Sequence, residues 1–215
     1  MNRNLRPLRR LILVLVVLSA AGCAKLFTDP PRPLFRLNAP ADFQAALPHT
    51  NAQIVVDPPY APEGLELRRI AIVRATNGLD YLADGDWADR TPAMVRGVLV
   101  EAFENSKAVA AVGPDTLDLR ADFEIDSDLR HFEAVYDSPQ AASAGPPIIW
   151  VALAVKLVKV PEHKILAQTL ISAHETAAAN ATPQIVAAFN VAMSSVAKQV
   201  VIWALTNPGL SPSRR

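Results

Sequence analysis

The chain has 215 residues, 51% of them hydrophobic and 20% charged, with twenty-one basic against twenty-one acidic side chains and hence no net charge. One domain with a sizeable core fits this length and two full-sized domains do not; the balanced charge leaves no basic footprint for nucleic acid, and the apolar content excludes a disordered chain. Eighteen prolines against eight glycines point to stiff connections and away from glycine-rich phosphate loops.

Residues 1–22 read as a bacterial secretion signal: basic positions Arg3, Arg6, Arg9 and Arg10, an apolar run from Leu11 to Leu18, then the small residues Ser19, Ala20, Ala21 and Gly22. The apolar run falls short of the about 20 residues that a helix needs to cross roughly 30 Å of hydrocarbon. Cys23, the single cysteine, follows directly and resembles the acylated cysteine of a bacterial lipobox, although Ala20 stands where a lipobox usually carries Leu. A diglyceride thioether together with an N-acyl chain supplies the two lipid signals that stable anchoring requires. Ala24, by resemblance to the enteric sorting rule, directs such an anchor to the outer membrane. Cleavage would remove four arginines and no acid, leaving seventeen basic and twenty-one acidic side chains.

From residue 23 to 34 the proline-bearing run through Asp29-Pro30-Pro31-Arg32-Pro33 predicts a tether. Phe35 to Leu37 is a candidate short strand, and Ala39 to Asn51 an irregular or weakly helical stretch. Ile54-Val55-Val56 and Ile70-Ala71-Ile72-Val73 are β-branched runs, joined by a rigid loop from Pro58 to Gly64. Asp80, Asp84, Asp86 and Asp89 surround Gly85 without the spacing of an EF-hand or its bidentate Glu; they predict a solvated acidic turn capping a helix.

Thr91-Pro92 predicts a helix with Thr as N-cap and Pro first, carrying Val95, Val98, Leu99, Ala102 and Phe103 on one stripe. Leu119 to Leu129 alternates as a half-buried strand whose wet face holds Asp122, Glu124, Asp126 and Asp128, with a bulge expected at Arg130-His131-Phe132. Ile148 to Val160 and Ile165 to Glu175 are two further strands around a turn at Pro161 to Lys164. Thr182-Pro183 opens a second helix by the same device, with Ile185, Phe189, Met193, Val196, Val200 and Trp203 at helical spacing. The expected fold is α+β: an antiparallel sheet with two long helices packed on one face.

No nucleophile elbow, P-loop, dinucleotide fingerprint, H-E-x-x-H or C-x-x-C is present, so no catalytic, metal or cofactor site is assigned. His131 and His174 on neighbouring strands could form part of a zinc site, against the simpler reading of solvated or hydrogen-bonded histidines. Trp150 and Trp203 read as core; Trp87, in Asp86-Trp87-Ala88-Asp89, reads as surface-facing, an interface anchor or a staple for the helix entry.

In this order the features resemble the PqiC-like auxiliary lipoproteins of ABC-type transporters. The carrying residues are Cys23, Phe35-Arg36-Leu37, Ile54-Val55-Val56 with Pro58-Pro59 and Ala61-Pro62-x-Gly64-Leu65, Arg69-Ile70, the block Tyr81 to Arg90 closed by Pro92, Leu129-Arg130-His131-Phe132, and Ala188-Phe189-Asn190-x-Ala192. The resemblance implies a non-catalytic, periplasm-facing lipoprotein. It works beside an ABC permease, its ATPase and a substrate-binding protein with a mammalian-cell-entry (MCE) domain, moving phospholipids or other hydrophobic compounds between the membranes. The expected domains are a signal at 1–22, a lipidated tether at 23–34, the auxiliary domain at 35–206 and a disordered tail at 207–215. Tyr60, Tyr81 and Trp87 are the candidate partner-binding aromatics, chosen by position because Tyr and Trp dominate interface anchors. The alternatives are a lipid carrier with a cavity between sheet and helices, lined by Ile148 to Leu157 and Ile165 to Ile171, and a hydrolase without a familiar motif.

Overall fold

The computed structural model describes residues 31–43, 47–74, 78–114, 121–137, 145–160 and 162–210. The signal, Cys23 and most of the tether lie outside the described residues, as do Leu119 and Pro161. The described strands are β1 (Leu34–Phe35), β2 (Gln53–Val56), β3 (Arg69–Val73), β4 (Leu79–Trp87), β5 (Ala111–Pro114), β6 (Phe123–Val135), β7 (Ile148–Lys159) and β8 (Lys164–Thr176). Helix α1 (Thr91–Ser106) follows β4, and α2 (Thr182–Thr206) follows β8.

Strand β6 is the spine. One edge pairs antiparallel with β7, which pairs antiparallel with β8. The other edge takes two short strands end to end, both parallel: Ile54 to Val56 lie against Phe123 to Ile125, and Ile72-Val73 against Ala134-Val135. Outside these, β5 joins β2 in parallel, β4 joins β3 antiparallel and β1 joins β4 in parallel. The sheet is therefore mixed, with its long strands antiparallel as expected and its short ones largely parallel.

Alternation turns Phe123, Ile125, Ser127 and Leu129 of β6 toward the core. The register then shifts between Leu129 and His131, where the sequence predicted a bulge. The extra residue, Arg130, changes the parity of the strand, so that Phe132 and Ala134 also face inward and are buried. On β7 the inward set is Ile149, Val151, Leu153, Val155 and Leu157, each 0% exposed.

The two helices pack on this face and on each other. The predicted stripe of α1 is buried, as are Ile185, Phe189, Met193, Val196 and Val200 of α2; Trp203 is partly buried against the same core. Among the described residues α2 is the one helix long and apolar enough to cross a membrane by length and composition, and in this fold its buried stripe makes it the core helix.

Four expectations are corrected. The acidic stretch around Gly85 is strand β4, not a turn. Its carboxylates are engaged along the strand: Asp80 with Arg74 at 2.6 Å, Asp86 with Arg69 at 3.2 Å, and Asp84 as acceptor for Thr182. Neither threonine caps its helix, since the cap positions are Arg90 and Ala181. Both threonines are buried, and their hydroxyls donate instead to the Leu67 carbonyl (3.1 Å) and the Asp84 carboxylate (2.6 Å). Residues 207–210 are ordered where a tail was expected, because Leu210 is buried and its carbonyl accepts from Thr50 Oγ1 at 3.3 Å. Trp87 is 0% exposed. Its indole meets Phe189 edge-on at 5.2 Å and Phe132 at 5.9 Å, and those two rings lie 5.0 Å apart, so it is a core residue and presents nothing to a partner.

Trp87→Ala is expected to cost about 3–5 kcal/mol in unfolding free energy, measured by denaturant titration; a cost under about 1 kcal/mol would show that the trio does not hold β4 to α2. Burial raises the Tyr136 phenol above its usual range, with Asp84 also raising it and Arg74 opposing; its hydroxyl donates to Asn180 Oδ1 at 2.8 Å. The folded state therefore keeps this proton when the unfolded chain has lost it. The contribution to stability is complete below the ordinary tyrosine range near pH 10 and is lost as pH rises through the raised value. Tyr136→Phe should lower stability by about 0.5–1.5 kcal/mol at neutral pH and flatten the alkaline fall seen in the parent.

A candidate partner-binding groove

The surface around Tyr60 is shaped by continuation of the β2 run along β6. The Asp57 N–H donates to the Ile125 carbonyl at 3.2 Å, the Tyr60 N–H to the Ser127 carbonyl at 2.9 Å, and the Leu129 N–H to the Tyr60 carbonyl at 2.7 Å. Pro58 and Pro59 between them have no N–H to leave unpaired. Pro62 then starts a 3-10 turn over Glu63–Leu65. The Tyr60 backbone is thus held on both its donor and its acceptor while its side chain is 71% exposed. Such an aromatic costs little further ordering when it enters an interface.

Tyr60 borders an open groove of 590 Å³ whose walls include Pro58, Pro59, Pro92, Arg90, Arg96 and Asp126. Asp126 is already engaged by Lys156 Nζ at 3.0 Å, a hydrogen bond that raises the lysine pKa. Arg68 ties this region to the end of β4 by donating to the Ala88 carbonyl at 2.5 Å. The groove combines proline and tyrosine surface with charges of both signs.

Tyr81 stands apart from this groove. Its hydroxyl donates to the Gly64 carbonyl at 3.1 Å, and the Arg69 guanidinium lies 5.2 Å from its ring centroid. It is half-buried and braces the 63–65 turn against the hairpin of β3 and β4. Of the three aromatics chosen from sequence, the structure thus presents Tyr60, partly presents Tyr81 and buries Trp87.

On the sheet face away from the helices, His131, Trp150 and His174 stack across β6, β7 and β8. The His131 and Trp150 rings are 3.4 Å apart and nearly parallel, and His174 lies 5.2 Å from the indole. Trp150 is therefore a half-buried outer-face residue and not part of the core. Its indole separates the two histidines, which removes the zinc arrangement they were considered for. His131 Nδ1 is instead 2.6 Å from the buried Glu133 carboxylate, whose other oxygen accepts from the Phe132 N–H. Among the described residues no group of three or more His, Cys, Asp and Glu could hold a metal ion.

The strand residues expected to line a carrier cavity divide between the two faces. Ile148 and Ile165 are exposed on the outer face, while the inward residues of β7 have no accessible surface.

The architecture is that of an α+β domain with its two long helices on one face of an eight-stranded mixed sheet. Residues 35–201 match the ABC-type transport auxiliary lipoprotein component family, and the chain belongs to it. The family is one of auxiliary lipoprotein components of ABC-type transport. In fold it is similar to the crystal structure of protein XCC0632 from Xanthomonas campestris (24% identity, TM-score 0.70, covering 83% of this chain and 95% of that one). A further crystal structure, of an uncharacterized protein, is 10% identical with a TM-score of 0.61, covering 80% of this chain and 97% of that one. Protein bll6063 of Bradyrhizobium diazoefficiens is 26% identical over 172 residues; the match covers 80% of this chain and 44% of that protein's length.

Tyr60→Ala should leave unfolding free energy within about 0.5 kcal/mol of the parent, as exposed substitutions do. Tyr81→Phe should lower it by about 0.5–1.5 kcal/mol through loss of the Gly64 hydrogen bond. Thermal and denaturant melts of both variants check the distinction; equal losses would mean that Tyr60 is a structural residue as well.

Proposed function

We propose that the protein is a membrane-anchored, periplasm-facing lipoprotein, a non-catalytic docking component of an MCE-linked ABC system. That system moves phospholipids or other hydrophobic compounds between the inner and outer membranes. Cys23 carries the acyl anchor, residues 23–34 form the tether, and the anchor sits in the outer membrane. The partner is the MCE-domain substrate-binding protein, in complex with its permease and ATPase.

The single observation that carries this reading is the family match across residues 35–201. The exposed Tyr60, on a backbone fixed at both its N–H and its C=O, supports the Pro58-Pro59-Tyr60 groove as the place where a segment of the partner docks. Tyr81 lends support from beneath the neighbouring turn, and its role in docking is indirect.

The test is an affinity isolation of the full chain from detergent-solubilised envelopes, with proteins and lipids identified. The parent should recover an MCE-domain protein with its permease and ATPase. Tyr60→Ala should reduce that recovery about ten-fold or more, the loss of a hot-spot aromatic, and Cys23→Ala should abolish acylation and diminish assembly. Recovery of bound lipid without those proteins would sink the docking reading in favour of a carrier.

A further inference from the structure

The chain that leads back to Cys23 leaves the domain at a fixed point. The Pro33 and Phe35 carbonyls accept from the Asp86 and Ala88 N–H groups at 3.1 and 2.7 Å. On the other side Asn190 of α2 accepts from the Asn38 N–H at 2.7 Å and donates to the Arg36 carbonyl at 3.4 Å. Residues 33–38 are thus tied to β4 and to the core helix together. Ten residue steps separate Cys23 from Pro33, a reach of at most about 33–36 Å when fully extended. A bilayer that holds Cys23 therefore meets β1 at the high effective concentration, about millimolar, that a short linker provides. Modest affinity for the bilayer surface is then enough to lay this corner of the domain on it.

The side chains around that point suit a layer of lipid headgroups. Alternation along β1 turns Phe35 inward, toward Gly85 and Thr182, and leaves Leu34 and Arg36 exposed, Leu34 at 58%. Ala88, bonded to Phe35, is also held by Arg68, whose guanidinium donates to the Trp87 and Ala88 carbonyls. Leu67, the residue before it, is 43% exposed. Arg36, Arg68 and Arg69 stand here against two acids that are already engaged: Asp86 pairs with Arg69, and Asp89 accepts from the Arg90 N–H at 2.7 Å. Glu66 and Arg90 line the Tyr60 groove. The corner is cationic on a mature chain with seventeen basic and twenty-one acidic side chains. Leucine beside arginine is a combination that settles at the boundary of headgroups and acyl chains, the apolar side chain entering and the guanidinium pairing with phosphate.

We propose that this corner, Leu34 and Arg36 of β1 with Leu67 and Arg68 beside them, rests on the surface of the bilayer that holds the anchor, its arginines on anionic lipid phosphates and its leucines among the headgroups. The proposal rests on the acylation of Cys23 put forward above and gives the anchored domain an orientation. Strand β1 lies against the membrane, and β8, at the opposite border of the sheet, lies away from it.

Acylation consumes the native thiol, so a cysteine introduced by Leu34→Cys or Leu170→Cys becomes the single site for an environment-sensitive fluorophore. The full chain is reconstituted in vesicles of phosphatidylethanolamine with phosphatidylglycerol, and in vesicles of phosphatidylcholine alone, each carrying lipid spin-labelled near the headgroup as quencher. The label at position 34 should be quenched in the anionic vesicles and less in the zwitterionic ones, and the label at position 170 in neither. Arg36→Gln in the Leu34→Cys background should lower the ratio of quenched to unquenched label about five-fold, the effect of one arginine at an anionic surface. Arg36→Lys should keep most of the quenching, which separates lost charge from lost folding, and added salt should weaken it. The mass of the chain reports acylation independently. An unacylated chain would overturn the anchor and this orientation together. An acylated chain with equal quenching at positions 34 and 170, or with no response to lipid charge and to Arg36→Gln, would overturn the orientation and leave the anchor standing.

Discussion

The two-sided backbone ladder of β6 is the constraint from which the rest of the domain follows. On one side it carries the β7–β8 hairpin; on the other it templates β2, the Tyr60 segment and β3 in succession. Side chains on a strand repeat with period two, so a slip of one residue exchanges core and solvent faces. Uninterrupted alternation would bury Phe123 through Leu129 and then turn Phe132 out to water. The single extra residue at Arg130 restores the inward direction just where Phe132 must meet Trp87 and Phe189. Backbone register, fixed by hydrogen bonds, thus decides which aromatic rings can form the core between β4 and α2.

The parts legible in the sequence were those whose signal is local. The β6 alternation with its stumble at Arg130, the paired strands around the turn at Glu162 and His163, and the helix stripes of α1 and α2 all depend on periodicity within one segment, and their burial follows it. Strand β4 was not legible. Asp and Gly disfavour strands, and its stability comes from distant partners: Arg69, Arg74 and Thr182 for the carboxylates, and Phe35 and Thr182 around Gly85. A Cβ at Gly85 would lie 2.7 Å from the Phe35 ring and 2.9 Å from the Thr182 methyl. The glycine marks a close approach of three segments, where local pattern suggested a turn.

The same distinction explains the three aromatics of the candidate site. Flanking aspartates made Trp87 look solvated, yet Asp86 pairs with Arg69 on one face of β4 while the indole occupies the other. Adjacent residues on a strand point to opposite faces, so polar neighbours carry no information about Trp87 itself. Tyr60 was chosen by its position, and the structure leaves its side chain exposed. Prolines without N–H groups can interrupt the ladder along β6 at no hydrogen-bonding cost, and they leave the tyrosine fixed and outward. The two threonines before proline follow the opposite course, because buried hydroxyls are committed to tertiary acceptors before they can serve the helix ends.

These constraints bear on what kind of auxiliary component the domain makes. An acyl chain could enter between sheet and helices only by parting α2 from β7 and β8, since Ile149, Val151, Leu153, Val155 and Leu157 have no accessible surface against it. That opening would expose the apolar faces that stabilise the fold, at roughly 25 cal/mol per Å², and would pull on the β4 junction through Thr182 and Phe189. Recognition at the outside of the sheet asks for no such rearrangement. The groove at Tyr60 is held by the ladder of β6. In the proposed docking role the contact is made at the surface and the closed core stays intact.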